Sequence, residues 1–540
     1  MNTLSDAHAA EGPNDAANII GRFGVGFYSV FMVADSVKVS SRRAFVKEGE
    51  ENPVYDWVSD GLGTYSITKS DDAKPVRGTS IEIHLKDDAK DFLEEYRLKS
   101  VIRTHSGFVP FPVFVNNEQV NTQPALWREP KSNVTHEQYV EFYKSFSYDS
   151  KEPIEILHIA VDVPVQFQAL LFIPDHKMDI HNLEADLYGL DLYSKRVLIK
   201  HHSKGLLPSY LSFVQGVVDV EDLPLNISRE TLQENLLIGK IKQVLVKQIL
   251  NALEKMAKDN PEKYESFWNT HQTIFKANLE DFANRERLCA LLRFNSSSLA
   301  DGKDGKIELT SLEDYMSRAI PEQKTFWYLS APNRESAKLN PHLRRFIKKG
   351  IEVLYFFEPF DEFMIERIGK YKDWDFKSVE VAEENALDAF PDKEDSEEKE
   401  AAPLTQEETD LFEQLRKHVK DTLGEKVKEV RFSDKDITAP AVLVSKGVSS
   451  SMEKLMRIIS KDESVPVKDL ELNRDHPLLR SMLKIFKANP IDPILNEMIG
   501  DLFDSAMMFD GYVREPQIFA TRLQSILEKS ASWYTATRGL

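Results

Sequence analysis

The chain runs to 540 residues, too long for one hydrophobic core, so about three or four domains are expected. Its 41% hydrophobic and 29% charged content places it among globular proteins and excludes a disordered or fibrous chain. Eighty-eight acidic against sixty-nine basic residues, a net charge of -19, repel phosphates and anionic lipid and argue against nucleic acid or membrane as the main partner.

The opening residues, Met1-Asn2-Thr3-Leu4-Ser5-Asp6, carry neither a basic stretch nor an apolar run, so no secretory signal is expected. No apolar segment approaches the roughly 20 residues that span a bilayer. Gly21-Arg22-Phe23-Gly24-Val25-Gly26-Phe27 is a glycine cluster followed by an apolar helical stretch, Tyr28 to Val33. Glycines let backbone N–H groups crowd an oxyanion, and a helix N-terminus adds about half a positive charge, so the arrangement suits phosphate. It lacks the Lys-Ser/Thr of a Walker A loop and the order of the dinucleotide fingerprint, and a tight turn against a sheet is the competing reading. From Asp35 to Leu85 the chain reads as strands, clearest where Thr79, Ile81, Ile83 and Leu85 alternate with polar residues, which predicts a sheet with one buried face. The residues before the glycine cluster offer no second hydrophobic layer, so cover for that face is expected to be missing.

Beyond Phe108-Val109-Pro110 the pattern turns to mixed α/β, with Ala169 to Ile173 and Arg196 to Ile199 as short apolar runs. Asp222-Leu223-Pro224-Leu225-Asn226-Ile227-Ser228-Arg229-Glu230 then enters a long amphipathic helix in which Leu232, Leu236, Ile241, Leu245, Ile249, Leu253 and Met256 recur until Pro261 stops it. Asn226 or Ser228 can cap that helix. Arg229 lies in the first turn, where the helix dipole disfavours a cation, so an anion is expected to hold it: Glu230 as a plain ion pair, or a phosphate from another domain. A second α/β block runs to about Tyr371 and includes the strand-like Ile351 to Phe357. Cys289, the one thiol, lies in an apolar run and reads as packing.

Between Glu383 and Pro403 the composition changes, and Asp392 to Glu400 carries no apolar residue, which suggests an acidic linker or a solvated loop. The end of the chain holds two apolar helices divided by Gly511 and Pro516, one carrying Ile494 to Met507 and the other Ile518 to Leu527. Faces so wide call for a preceding domain or a second copy of the chain. His176, His181, His201 and His202 lack acidic or thiolate companions at ligand spacing and read as surface residues, so no metal ligand is assigned. No Gly-x-Ser-x-Gly elbow is present, and hydrolase triads are not indicated.

Taken together, the motifs are specific. Ile19 to Ser29 closely resembles the glycine-rich lid segment of the ninety-kilodalton heat-shock chaperones, of the bacterial HtpG type or its mitochondrial relatives, and Arg77-Gly78-Thr79 resembles the threonine strand of the same site. Gly216-Val217-Val218-Asp219 with Glu221 to Glu230 resembles that family's middle-domain signature, and Tyr328 to Arg334, Glu352 to Leu354 and Phe360 to Glu362 extend the similarity. The resemblance implies a multidomain fold of α+β and α/β type: part of a gyrase, histidine kinase and MutL-type ATP-binding sandwich over 1–115, a two-lobed α/β middle domain over 116–382, an acidic linker over 383–403 and a mainly helical C-terminal dimerisation domain over 404–540. It implies an ATP-dependent chaperone that remodels partly folded client proteins in the cytoplasm or the mitochondrial matrix, works as a homodimer and uses ATP with Mg2+. Arg22, Phe23, Gly24, Val25, Gly26 and Phe27 would wrap the phosphates, Thr79 would sit by the adenine, and Arg229 would reach the terminal phosphate as the catalytic arginine.

The family's glutamate that activates water, its magnesium-binding asparagine and its adenine-binding aspartate on Asp-x-Gly-x-Gly lie upstream of the lid. No Asp-x-Gly-x-Gly occurs in this sequence, and Met1 to Asn18 is too short for the helix and strands concerned. The expectation is a truncated nucleotide domain and, as the alternative function, an ATP-independent holdase or scaffold.

Overall fold

The computed structural model describes residues 26–46, 49–71, 77–177, 188–221, 223, 236–277, 281–299, 308–358, 360–382, 384–393, 404–433, 438–444, 449, 453, 456–457, 460, 466–512 and 516–539. The chain divides into two compact units, Met1–Lys255 and Met256–Leu540. Helices and sheets mix in both, a multidomain α+β architecture.

In the first unit, strands β1 (Ala34–Arg42), β2 (Tyr55–Ser59), β3 (Tyr65–Lys69) and β4 (Gly78–Leu85) form an antiparallel sheet in the order β3-β2-β1-β4. The strand reading of Asp35 to Leu85 holds, but the expected burial of its alternating face does not: Ile81 is 51% and Ile83 43% exposed. The alternation of β4 is that of a sheet with an apolar face, yet packed side chains reach only part of it, the buried Val37 on β1 among them. Helix α1 (Glu95–Ser106) leads to a two-residue hairpin, β5 (Phe114–Val115) with β6 (Glu118–Gln119), and then to α2 (His136–Ser147), which Thr135 and Gln138 start with a reciprocal capping box.

Five strands follow: β7 (Glu155–Val161), β8 (Phe167–Ile173), β9 (Leu190–Ser194), β10 (Val197–Ser203) and β11 (Gln215–Val220), in the order β10-β9-β11-β8-β7. Lys195 and Arg196, both at positive φ, make the tight turn between β9 and β10, so Arg196 belongs to the turn and the strand begins at Val197. Trp127, Phe142, Tyr143, Phe172 and Tyr193 build the core on one side of this sheet. Helix α3 (Leu236–Asp259) buries Ile241, Leu245, Ile249, Leu253 and Met256 of the stripe its spacing predicts, but Leu236 at its first residue is 85% exposed, and Leu232 lies outside the described residues.

Pro261, which ends α3, also opens α4 (Pro261–Ala277), a position where its missing N–H costs nothing. The second unit continues with α5 (Arg285–Leu291), β12 (Asn295–Ser296), α6 (Leu312–Arg318), β13 (Thr325–Ser330), α7 (Arg334–Lys338), α8 (Arg344–Lys348), β14 (Leu354–Phe356), α9 (Phe360–Ile368), β15 (Lys370–Tyr371) and β16 (Trp374–Ser378). The sheet order is β12-β14-β13-β16-β15, with β13 parallel to both β14 and β16. The α/β block therefore extends past Tyr371, because β16 is an interior strand. Only Leu354–Phe356 of the apolar run from Ile351 pairs as strand, although Ile351 and Val353 are buried with it. Leu387 is buried against this lobe and Phe390 packs beside it, so the described part of the acidic stretch is anchored to the lobe by apolar contacts. Cys289 is buried, and burial pushes its thiol up to about 12, which fits packing rather than reactivity.

Helix α10 (Gln406–Leu423), again opened by a capping box of Thr405 and Glu408, packs on a small sheet, β17 (Val430–Phe432), β18 (Ala441–Val444) and β19 (Asp469–Leu472). Helices α11 (Pro477–Ala488) and α12 (Pro493–Phe509) complete that core with Leu479, Met482, Leu495, Ile499, Phe503 and Met507. Met498 is partly buried there, and Met508 is 47% exposed. The last helix, α13 (Pro516–Arg538), has no buried residue. Among the described residues no helix is long and apolar enough to cross a membrane.

Candidate functional site

Gly26 begins a 3-10 turn, Phe27–Met32, where Ser29 donates to the Gly26 carbonyl from its hydroxyl at 2.7 Å and its backbone N–H at 3.3 Å. The Phe27 ring stands edge-on to Trp57, with centroids 5.6 Å apart. Trp57 pairs with Val39 of β1, and Val39 pairs with Ile81 of β4, so the turn lies over the face that carries those three side chains. Thr79, two residues before Ile81, shares that face by strand alternation. Its Oγ1 lies 3.0 Å from the Ser41 hydroxyl, its cross-strand partner. The fold thus brings Gly26, Phe27 and Thr79 to one face of one sheet. Arg22, Phe23, Gly24, Val25 and Arg229 lie outside the described residues.

The face is open. Ile67, Ile81 and Tyr65 are each more than half exposed, beside a pair of hydroxyls. A planar aromatic ring could lie on such a surface, with Thr79 at its edge and the glycine turn beside it.

The middle-domain signature leaves from a rigid strand. Gly216 of β11 has φ +134, and an added Cβ would stand 2.1 Å from the Leu170 carbonyl oxygen, so only glycine fits. Three residues on, Asp219 is fully buried and accepts from Trp127 Nε1 at 2.9 Å, Arg128 Nε at 2.7 Å and the Arg196 backbone N–H at 3.2 Å. Arg128 also grips Glu221, the first residue of the signature's second stretch. Burial alone would depress the Arg128 guanidinium, but the facing charges of Asp219 and Glu221 win and hold it above its ordinary range. Sequence reasoning missed this anchor. Its signal is an aspartate inside the apolar run Val217-Val218-Asp219-Val220, a place where a carboxylate needs buried partners.

His176, His201 and His202 are exposed, as their surface reading expects, and His181 lies outside the described residues. His176 Nδ1 meets Asp149 Oδ2 at 2.7 Å and His201 Nδ1 meets Asp191 Oδ2 at 3.0 Å, acidic companions that folding supplies from elsewhere in the chain. Among the described residues no group of three or more histidine, cysteine, aspartate or glutamate side chains is placed to hold a metal ion.

Comparison with known proteins bears on the whole chain. The profile described as Hsp90 protein matches residues 114–538. A protein named "Chaperone protein HtpG" from Oleidesulfovibrio alaskensis is 50% identical over 533 residues, covering 98% of this chain and 82% of that protein. One of the same name from Nitratidesulfovibrio vulgaris is 48% identical over 541 residues, 99% of this chain and 83% of the relative. The one from Chlorobium luteolum is 38% identical over 517 residues, 95% and 79% of the two chains.

Proposed function

We propose that this chain, which belongs to the Hsp90 family, couples its chaperone work to ATP through the open sheet face that carries Phe27 and Thr79. It is a molecular chaperone of the bacterial HtpG type, and the family's chaperones are ATPases. The observation that carries the nucleotide reading is the register that sets the glycine turn and Thr79 over the same face. In this reading the backbone of Gly24, Val25, Gly26 and Phe27, with Arg22 and Phe23, surrounds the phosphates, and Thr79 sits by the adenine. ATP with Mg2+ supplies the free energy for domain closure. Arg229 neutralises charge that develops on the terminal phosphate, its approach set by the buried Asp219–Arg128 anchor at the start of its segment.

The proposed division is a nucleotide region over 1–115, a client-binding middle domain over 116–382, a connecting acidic stretch over 383–403 and a dimerising region over 404–540. The exposed apolar side of α13 supports the dimer. The place of work is the bacterial cytoplasm, in keeping with the bacterial relatives. A nucleotide-independent holdase is the second reading, favoured by the same open apolar face, which can hold an unfolded segment without ATP.

Two measurements on the chain as written separate these readings: calorimetric titration with ATP and Mg2+, and suppression of aggregation of a heat-labile enzyme with and without ATP. Saturable ATP binding with nucleotide-dependent protection supports the coupled chaperone. Protection indifferent to ATP, with no binding, overturns the coupling and leaves the holdase. In a form that hydrolyses ATP, Arg229→Ala is expected to lower turnover with little change in nucleotide affinity. Equal loss of both contradicts its role at the terminal phosphate.

A further inference from the structure

The second unit holds an open crevice of about 860 Å3 between the start of α5 and the end of α9, apart from the residues assigned above to nucleotide binding. Its walls are built to stay in place. Asp281 caps the turn before α5 by accepting from the backbone N–H groups of Ala283 and Asn284. On the opposite wall, Gly369 at φ +68 reverses the chain after α9 and brings the Lys370 carbonyl within 2.8 Å of Arg285 Nη2. One hydrogen bond therefore ties the two walls across the crevice.

The lining is cationic on a chain of net charge -19: Arg285, Arg287, Arg367, Lys370 and Lys372 stand around it, with Glu286 as its one acid among the described residues. Lys370 pairs with Asp375 at 3.0 Å and Lys372 with Glu313 at 2.6 Å, both at largely exposed positions where such pairs are weak and exchange readily. Arg285 makes its cross-wall bond to a neutral carbonyl, which leaves its charge uncompensated by that bond. Phe282, 80% exposed, stands at the rim beside these cations. A guanidinium held in place, as Arg285 is by the Lys370 carbonyl, suits a carboxylate through paired hydrogen bonds, and a rim aromatic suits an apolar side chain beside it.

We propose that this crevice docks an acidic linear segment of a partner protein, a run of aspartate or glutamate carrying a large apolar side chain. Charge complementarity with Arg285, Lys370 and Lys372 favours it, and the acidic remainder of the surface argues against a long polyanion such as RNA, whose charges would extend beyond the crevice.

The test is fluorescence anisotropy on the full chain with a short labelled peptide of alternating glutamate and aspartate around one phenylalanine. The expected result is saturable binding that weakens as salt rises from about 50 to 500 mM. It should fall about tenfold or more in Lys370→Glu/Lys372→Glu, and be absent for the glutamine and asparagine counterpart of the peptide. A benzophenone in place of the phenylalanine should crosslink the unaltered protein within 282–287 or 367–372, a readout that needs no variant to fold. Crosslinks concentrated elsewhere, binding untouched by the charge reversals in a folded variant, or no saturable binding each overturn the proposal. So does a single-stranded RNA oligomer that binds more tightly than the peptide and is lost in the same variant.

Discussion

Arg128 lies 2.6 Å from the carboxylate of Asp219, a side chain with no solvent exposure in the middle of β11. Removing one partner of a buried pair strands the other charge at a cost of about 3–5 kcal/mol, even where the intact pair adds little net stability. Asp219→Asn keeps the shape and removes the charge. It is expected to lower the melting temperature of the first unit by about 6–20 °C, at roughly 2–4 °C per kcal/mol for a unit of this size. Calorimetry on the variant checks this, and a shift of a degree or two would mean that Arg128 finds another anion.

Gly216 allows a harsher test. The Cβ of alanine would overlap the Leu170 carbonyl oxygen, which is backbone in a paired strand and cannot rotate away. Gly216→Ala is expected to cost more than about 4 kcal/mol, the range reserved for disrupted backbone and core. Urea unfolding of the purified variant, or its failure to accumulate as soluble protein beside Gly205→Ala, a control whose new methyl would meet Ile238 at an ordinary 3.6 Å, distinguishes the outcomes.

His158 on β7 is buried, its Nδ1 2.6 Å from the Tyr139 hydroxyl and its Nε2 3.2 Å from the Trp127 carbonyl oxygen. Burial disfavours the imidazolium and holds its pKa below the ordinary value. The unfolded chain therefore binds a proton that the folded chain does not, once the pH drops below about 6.5. The stabilising effect is complete above that pH and is lost as pH falls, at up to about 1.4 kcal/mol per pH unit. His158→Gln should flatten the difference in stability between pH 7 and pH 5 relative to the unaltered protein. Parallel pH profiles would place the titration elsewhere.

The open sheet face makes a prediction smaller in size than the one its sequence pattern suggests. Ile81→Thr and Ile83→Thr would cost about 2 kcal/mol or more each in a packed core, but at half-exposed positions each should cost under about 1 kcal/mol. The double variant should also bind less of a fluorescent hydrophobic dye. A large loss of stability would mean that the face is covered in solution.

Legibility followed the range of the interactions. The helices around Leu495 and Leu523 and the strand at Thr79 to Leu85 were readable because each carries its own period. Strand β16 was not, since Trp374-Asp375-Phe376-Lys377 looks like a polar edge until β13 and β15 flank it. Nor was the anchoring of the acidic stretch, which depends on two side chains, Leu387 and Phe390. At the site, the glycine cluster and the family resemblance singled out Gly26, Phe27 and Thr79 one by one. Their common face needed the register between β1, β2 and β4, and the side-chain partners of Asp219 lie 91 and 92 residues away.

Helix α13 carries the last prediction. Arg522 ties it to α12 through Asp501 at 2.9 Å and through Asp504, and Lys529 pairs with Glu497 at 2.6 Å. Phe519 and Ile526, on the same side as these ties, are half-buried. Leu523, Leu527 and Tyr534, spaced so that they share one stripe, stay 42%, 60% and 60% exposed. Ion pairs at half-exposed positions hold a helix in register but add little stability, so an apolar stripe of this kind needs a covering surface, and a second copy of α13 offers an identical one. Leu527→Asp places a charge in the middle of that stripe without touching the ties to α12. Light scattering at micromolar concentration should then report a monomer where the unaltered chain is a dimer, with the circular dichroism of the variant unchanged. A dimer that survives the substitution would move the interface off this stripe.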